Sequence, residues 1–146
     1  MSTSFLPSEI AQLTESTSIA LAQSIEQIPI TTPLSKQPIA TTYVHQGSGG
    51  TPILLLHGFD SSVFEFRRLL PLLAQENETW AVDLLGFGFT ERLAGIPISP
   101  TAIKTHLYYF WETEGISPTN TIREEDAYLR VCRTADRARV LAGDPD

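Results

Sequence analysis

The sequence predicts an α/β fold, an incomplete and mostly parallel, doubly wound sheet with flanking helices, and three observations carry that expectation. First, Ile53-Leu54-Leu55-Leu56 is a continuous apolar run bounded by Pro52 and Gly58, the pattern of a short strand buried on both faces. Second, a helical pattern follows, with apolar residues at 63, 66, 69, 70 and 73 and with Ser61 or Ser62 in place to cap its first turn. Third, Thr79-Trp80-Ala81-Val82 reads as another short buried strand, with Asp83 at its C-terminal end and a further helix pattern from Ser99 onward. Alternating strands and helices of this kind place up to three strands in one sheet.

The remaining elements follow in chain order. From Ser8 to Ile28, apolar residues at 10, 13, 20, 21, 25 and 28, with alanines at 11, 20 and 22, fit one side of a helix that Pro29 ends, and such a helix serves to cover a hydrophobic edge. Residues 30–38, rich in Thr and Pro, read as a linker. Ile39 to His45 alternates as a strand, with Ile39, Thr41, Tyr43 and His45 on one face. Gln46 to Thr51 is then a glycine-rich turn that returns the chain into the strand at 53–56. It is not a phosphate loop, because Gly47-Ser48-Gly49-Gly50 lacks a following Lys and opens a strand. Gly86-Phe87-Gly88 has Glu91 where a dinucleotide fingerprint needs a third glycine, so no nucleotide or other cofactor is expected. The helix from Ser99 has a serine cap and Pro100 at its first position and runs through Trp111. Its aromatic residues read as core-facing, and His106, with no other metal ligand near it in sequence, as a helix-surface residue.

The turn after the first buried strand is where chemistry concentrates. A tight turn between a strand and a helix leaves backbone N–H groups without partners, and these can hold negative charge that develops on a substrate oxygen. In a parallel α/β sheet the strand C-termini line the ligand crevice, which puts Asp83 and Phe59 on the functional edge. His57 reads as a buried, hydrogen-bonded support, and Asp83 as a carboxylate that ties down the loop after its strand by accepting backbone N–H bonds.

The order apolar strand, His57-Gly58-Phe59, helix, and then Asp83-Leu84-Leu85-Gly86-Phe87-Gly88-Phe89-Thr90-Glu91-Arg92 resembles the N-terminal part of the α/β-hydrolase-fold enzymes. The resemblance runs from about Thr41 to Trp111. It implies hydrolysis of an ester-like or related bond, with one oxyanion-hole N–H supplied by the residue after His-Gly, here Phe59, and the other by the residue after the nucleophile. By the same resemblance His57, Gly58, Asp60 and Asp83 support the site, and the substrate is a small acyl-type molecule. The sequence departs from the family at the nucleophile. No Gly-x-Ser-x-Gly string occurs in the 146 residues, so no catalytic serine and no catalytic histidine is identified.

Charge and composition bound the remaining classes. With 42% hydrophobic and 18% charged residues the chain has the composition of a soluble globular protein. A net charge of −7 and the lack of a free Lys/Arg cluster argue against a nucleic-acid partner. A single cysteine, Cys132, excludes an internal disulfide and a cysteine-based zinc site, and no metal is expected. No secretory signal pattern or membrane-spanning apolar run occurs, which leads to the expectation of a cytoplasmic protein.

At Glu112 the composition changes. Residues 112–146 hold 13 charged side chains against 14 in the first 111 residues, and every basic residue among them is Arg. The chain therefore divides into an N-terminal helix and linker (1–38), a partial α/β domain (39–111) and a divergent charged tail (112–146). The tail reads as a solvated helix, Ile122 to Leu141, or as a disordered end. A shifted reading frame, a truncated gene or a fusion joint near Glu112 each accounts for the change. Two functions compete on this basis: a hydrolase family member, truncated or frame-disrupted and inactive alone, and a non-catalytic interaction module using the sheet edge and the acidic tail. Self-association or a complementing chain is the corresponding partner expectation, because the resemblance implies that the strand at 53–56 pairs on one side with a nucleophile strand that this sequence lacks.

Overall fold

The computed structural model describes residues 5–50, 52–58 and 61–115. Four strands form one sheet: β1 (Glu26–Ile30), β2 (Ile39–Gln46), β3 (Ile53–Leu56) and β4 (Thr79–Val82), in the order β1-β2-β4-β3. β1 pairs with β2 and β2 with β4 in antiparallel fashion, while β3 and β4 are parallel with Leu56 opposite Val82. The described sheet is thus mixed and carries its parallel pair at the β3 end.

Helices lie on both faces because the strand side chains alternate. Tyr43, Leu54, Leu56, Trp80 and Val82 pack with Leu107, Phe110 and Trp111 of α3 (Pro100–Glu114). Val44, Leu55 and Ala81 point the other way, to Leu21 of α1 (Ser16–Ser24), to Val63 and Phe66 of the 3-10 turn Val63–Phe66, and to Leu70 of α2 (Leu69–Leu73). Leu54, Leu55 and Leu56 are all buried, and each contributes about 1.5–3 kcal/mol as an upper bound. The side chains of β3 are therefore covered on both faces, although among the described residues only β4 hydrogen-bonds its backbone.

Several expectations need correction. The single helix over 8–28 is instead a 3-10 turn Ser8–Gln12, then α1, then the strand β1, which adds a fourth strand to the sheet. Pro29 does not end a helix; it sits within β1 opposite Ala40. It costs no ladder bond there, because Ala40 turns its N–H to Glu91 Oε1 and accepts the Glu91 N–H on its carbonyl, away from β1. The linker accordingly starts after Ile30.

The helix expected from Val63 onward is broken into the 3-10 turn and α2. Ser62 caps the first piece, its Oγ accepting the Phe64 N–H at 3.2 Å. Pro71 explains the break: it cannot donate to Arg67 in a continuous helix, but is tolerated in the first turn of a new one. The glycine-rich turn also does something other than join neighbours, since β4 lies between β2 and β3. It crosses the sheet end and docks on the loop before β4, where the Gly49 carbonyl accepts the Glu78 N–H at 2.8 Å.

α3 starts as the sequence implies, with Ser99 Oγ accepting the Ala102 N–H at 3.1 Å, and stops at Gly115, whose φ of 67° is left-handed. His106 is not on its surface but fully buried. Its turn of helix faces the sheet, and His106 Nε2 lies 2.8 Å from Thr41 Oγ1. The tail expected as helix Ile122 to Leu141 lies outside the described residues.

Candidate functional site

The parallel pair β3 and β4 sets the site, because both strands end at the same level and deliver His57 and Asp83 side by side. Asp83 is fully buried. Its Oδ1 accepts the Val63 N–H and its Oδ2 the Phe89 N–H, each at 2.8 Å. One carboxylate thus fastens the segment after β3 to the glycine loop after β4. Burial pushes the Asp83 carboxyl up from its ordinary value, opposed by those two N–H bonds and by nearby Arg92. Thr90 locks the same loop, donating its hydroxyl to the Asp83 carbonyl at 2.7 Å and accepting the Thr42 N–H at 3.1 Å. Arg92 donates to the carbonyls of Gly86 and Gly88 at 3.2 and 3.3 Å.

His57 is buried, with both ring nitrogens engaged. Nε2 accepts the Leu84 N–H at 3.0 Å, which leaves the proton on Nδ1 to be donated to the Gly58 carbonyl at 2.7 Å. Neither nitrogen is available to take a proton from a hydroxyl, so the residue acts here as a brace. Phe87 meets the imidazole edge-on at 5.7 Å. The N–H of Gly58 donates to Glu65 Oε1 at 3.1 Å.

The structure therefore brings His57, Gly58 and Asp83 to one end of the sheet, while Phe59 and Asp60 lie outside the described residues. Sequence reasoning missed Glu65 and Thr90. Glu65 sits at a helical position where a carboxylate reads as solvated. Thr90 carries a signal only once the loop from Asp83 is known to fold back on β2. Among the described residues no group of three or more His, Cys, Asp or Glu is placed to hold a metal, and no helix is long and apolar enough to cross a membrane. A shallow cavity of about 320 Å³ lies elsewhere, between the N-terminal 3-10 turn and α1, lined by Leu6, Ile10, Leu13, Ile19 and Ala22 among others.

Comparison with known proteins agrees with this geometry. No protein-family profile matches the chain. It is 36% identical over 115 residues to an alpha/beta hydrolase domain-containing protein, VTE7, of Arabidopsis thaliana, covering 75% of this chain and 35% of that protein. It is 43% identical over 75 residues to the uncharacterized hydrolase YNR064C of Saccharomyces cerevisiae, covering 51% of this chain and 26% of that one. Among solved structures it resembles a thermophilic esterase from Thermogutta terrifontis with a TM-score of 0.56 and 25% identity, over 62% of this chain and 33% of the esterase. A meta-cleavage product hydrolase from Pseudomonas fluorescens gives a TM-score of 0.54 and 26% identity, over 62% of this chain and 32% of that hydrolase. The chain carries the N-terminal part of the α/β-hydrolase fold and is similar in sequence to proteins of the α/β-hydrolase family. It spans between about a quarter and a third of the length of these relatives.

Proposed function

We propose that this chain supplies the oxyanion side of an α/β-hydrolase site acting on a small acyl-type substrate, an ester or a related bond. By the family resemblance the Phe59 backbone N–H is the donor for the carbonyl oxygen that gains charge as it is attacked. His57, Gly58, Asp60 and Asp83 support the turn that presents it. The observation that carries this reading is the Gly58 carbonyl held by His57 Nδ1 at 2.7 Å, because that carbonyl shares its planar peptide with the Phe59 N–H.

Hydrolysis also needs a nucleophile, a base to take its proton and a second oxyanion donor. These 146 residues contain no Gly-x-Ser-x-Gly nucleophile turn, and His57 is committed to two backbone groups. On this reading residues 39–111 are the hydrolase part, 112–146 are a divergent tail, and the chain by itself is inactive. It is a truncated or frame-disrupted member, or one that works with a complementing chain.

A second reading has its own observation. β3 hydrogen-bonds only β4 among the described residues, so one backbone edge is left to a partner strand, as in a non-catalytic interaction module. Hydrolysis of a generic acyl ester separates the two readings, measured on the chain alone and after mixing with the product of the adjacent gene. The hydrolase reading expects no rate above buffer alone, and in the mixture a rate that Phe59→Pro abolishes, since proline has no N–H to donate. A mixture that forms a stable complex yet shows no hydrolysis favours the interaction module.

A further inference from the structure

We propose that Glu65 is a positioning residue for the oxyanion turn, its carboxylate clamping the Gly58 N–H and so fixing the direction in which the Gly58–Phe59 peptide points. This rests on the hydrolase reading of that turn and deepens it. Glycine has the widest conformational freedom of any residue, so a turn built on Gly58 spreads the next N–H over many directions unless something outside the backbone holds it. A peptide is planar, and only φ and ψ of Gly58 link the plane before it to the plane after it.

Two side chains grip those two planes separately. His57 Nδ1–H donates to the Gly58 carbonyl at 2.7 Å and holds the plane that contains the Phe59 N–H. Glu65, seven residues on, accepts the Gly58 N–H at 3.1 Å and holds the preceding plane. With both planes held, φ and ψ of Gly58 are set. The base from which Glu65 reaches is anchored without help from the turn. Val63 N–H is bound by Asp83 Oδ1 at 2.8 Å, Phe64 N–H by Ser62 Oγ at 3.2 Å, and Val63 and Phe66 are buried in the core. Two carboxylates thus hold the described residues on either side of the turn, Glu65 on Gly58 and Asp83 on Val63.

The test is amide exchange and amide proton shifts of the whole chain in Glu65→Ala and Glu65→Gln. Glutamine keeps an acceptor oxygen of nearly the same reach, whereas alanine removes it. In Glu65→Ala the Gly58 amide is expected to exchange about tenfold faster and to lose its hydrogen-bonded shift, and in Glu65→Gln most of both returns. The Val63 and Leu84 amides, held by Asp83 and His57, stay as they are in both variants. An unchanged Gly58 amide in Glu65→Ala, or no rescue by glutamine, or an equal rise at Val63 and Leu84, overturns the clamp. Methylphosphonate, an anionic stand-in for the charged oxygen, is then titrated while the Phe59 amide is followed. A response that Glu65→Ala weakens links the clamp to the site. A wild-type Phe59 amide that ignores the phosphonate overturns the oxyanion reading itself, while the Gly58 amide still decides the clamp.

Discussion

The carboxylate of Asp83 occupies the space that a side chain on Gly88 would need: a Cβ built there would fall inside the contact radius of all three carboxyl atoms. Gly88 also has a φ of 56°, which only glycine adopts freely. The loop after β4 closes over Asp83 only because residue 88 lacks a side chain.

Gly88→Ala is therefore expected to cost roughly 3–5 kcal/mol, from the left-handed backbone and from displacing Asp83 off two buried N–H groups. Gly95→Ala is the matched control. Gly95 has a φ of 87°, but a Cβ there meets nothing within 4 Å, so only the backbone penalty of about 1–2 kcal/mol applies. Urea unfolding of the two variants checks this. Equal midpoints would mean that Asp83 yields without loss.

Acid should weaken the packing of α3 through His106. Thr41 donates its hydroxyl to the Ile39 carbonyl at 2.9 Å and so accepts from His106 Nε2–H, and burial lowers the imidazole from its ordinary 6.5 to about 4. The folded protein refuses a proton that the unfolded chain takes, so this contribution to stability is whole above pH 6.5 and declines toward pH 4. Its full size is about 3 kcal/mol. His106→Leu removes the proton-linked part, and its stability is expected to be flatter than that of wild type between pH 7 and 4. A parallel decline in both proteins would assign the acid sensitivity elsewhere.

Where the sequence was legible, one local signal was enough. The aliphatic run at 53–56 and Thr79–Val82 are too apolar for anything but buried elements, and Ser99 and Pro100 open α3 with start chemistry that needs no partner, whereas its stop at Gly115, three residues past Glu112, was not read. β1 was hidden because Pro29 is a helix stop and a legal edge-strand residue at once, and only the turning of Ala40 toward Glu91 decides between them. The burial of His106 had a trace in the spacing of Ala102, His106 and Phe110 along one helix face. That spacing does not tell whether the polar member finds a partner, and Thr41, 65 residues earlier, is what admits it. The position of His57, Gly58 and Asp83 at one end of the sheet was readable from motif order, whereas the bond of Glu65 to Gly58 was not, since a bond from residue 65 back to residue 58 depends on how the intervening turn folds.

Glu15 gives a second acid effect, on the opposite face of the sheet. It caps α1 by accepting the Ser18 N–H at 2.7 Å and the hydroxyls of Thr17 and Ser18, and it lies 3.6 Å from both Arg67 and Arg68. The Thr17 and Ser18 bonds, with a smaller contribution from Arg68, lower its carboxyl from 4.5 to about 2. The carboxylate therefore stabilises the fold above about pH 4.5, and that support is lost as pH falls toward 2. Glu15→Gln is expected to melt below wild type at pH 6, with the gap closing as pH approaches 2. A gap that does not depend on pH would reduce Glu15 to an uncharged cap.

The edge of β3 that no strand among the described residues pairs makes the last prediction. Ile53 N–H donates to the Glu78 carbonyl at 2.9 Å, so the period of two along a strand turns the N–H groups of Ile53 and Leu55 toward β4 and those of Leu54 and Leu56 away from it. All of the leucine side chains are buried, so what the edge offers a partner is backbone alone. That makes hydrophobic aggregation a weaker pull than the apolar run suggests, and strand pairing the specific one. In the dilute chain the Leu54 and Leu56 amides are expected to exchange at least tenfold faster than those of Ile53 and Leu55, a difference of about 1.4 kcal/mol in protection. Raising the concentration until size-exclusion chromatography shows a larger species should slow Leu54 and Leu56 selectively. Four equally slow amides in a monodisperse monomer would mean that the chain itself provides a strand on that side, and would remove the basis for a partner at this edge.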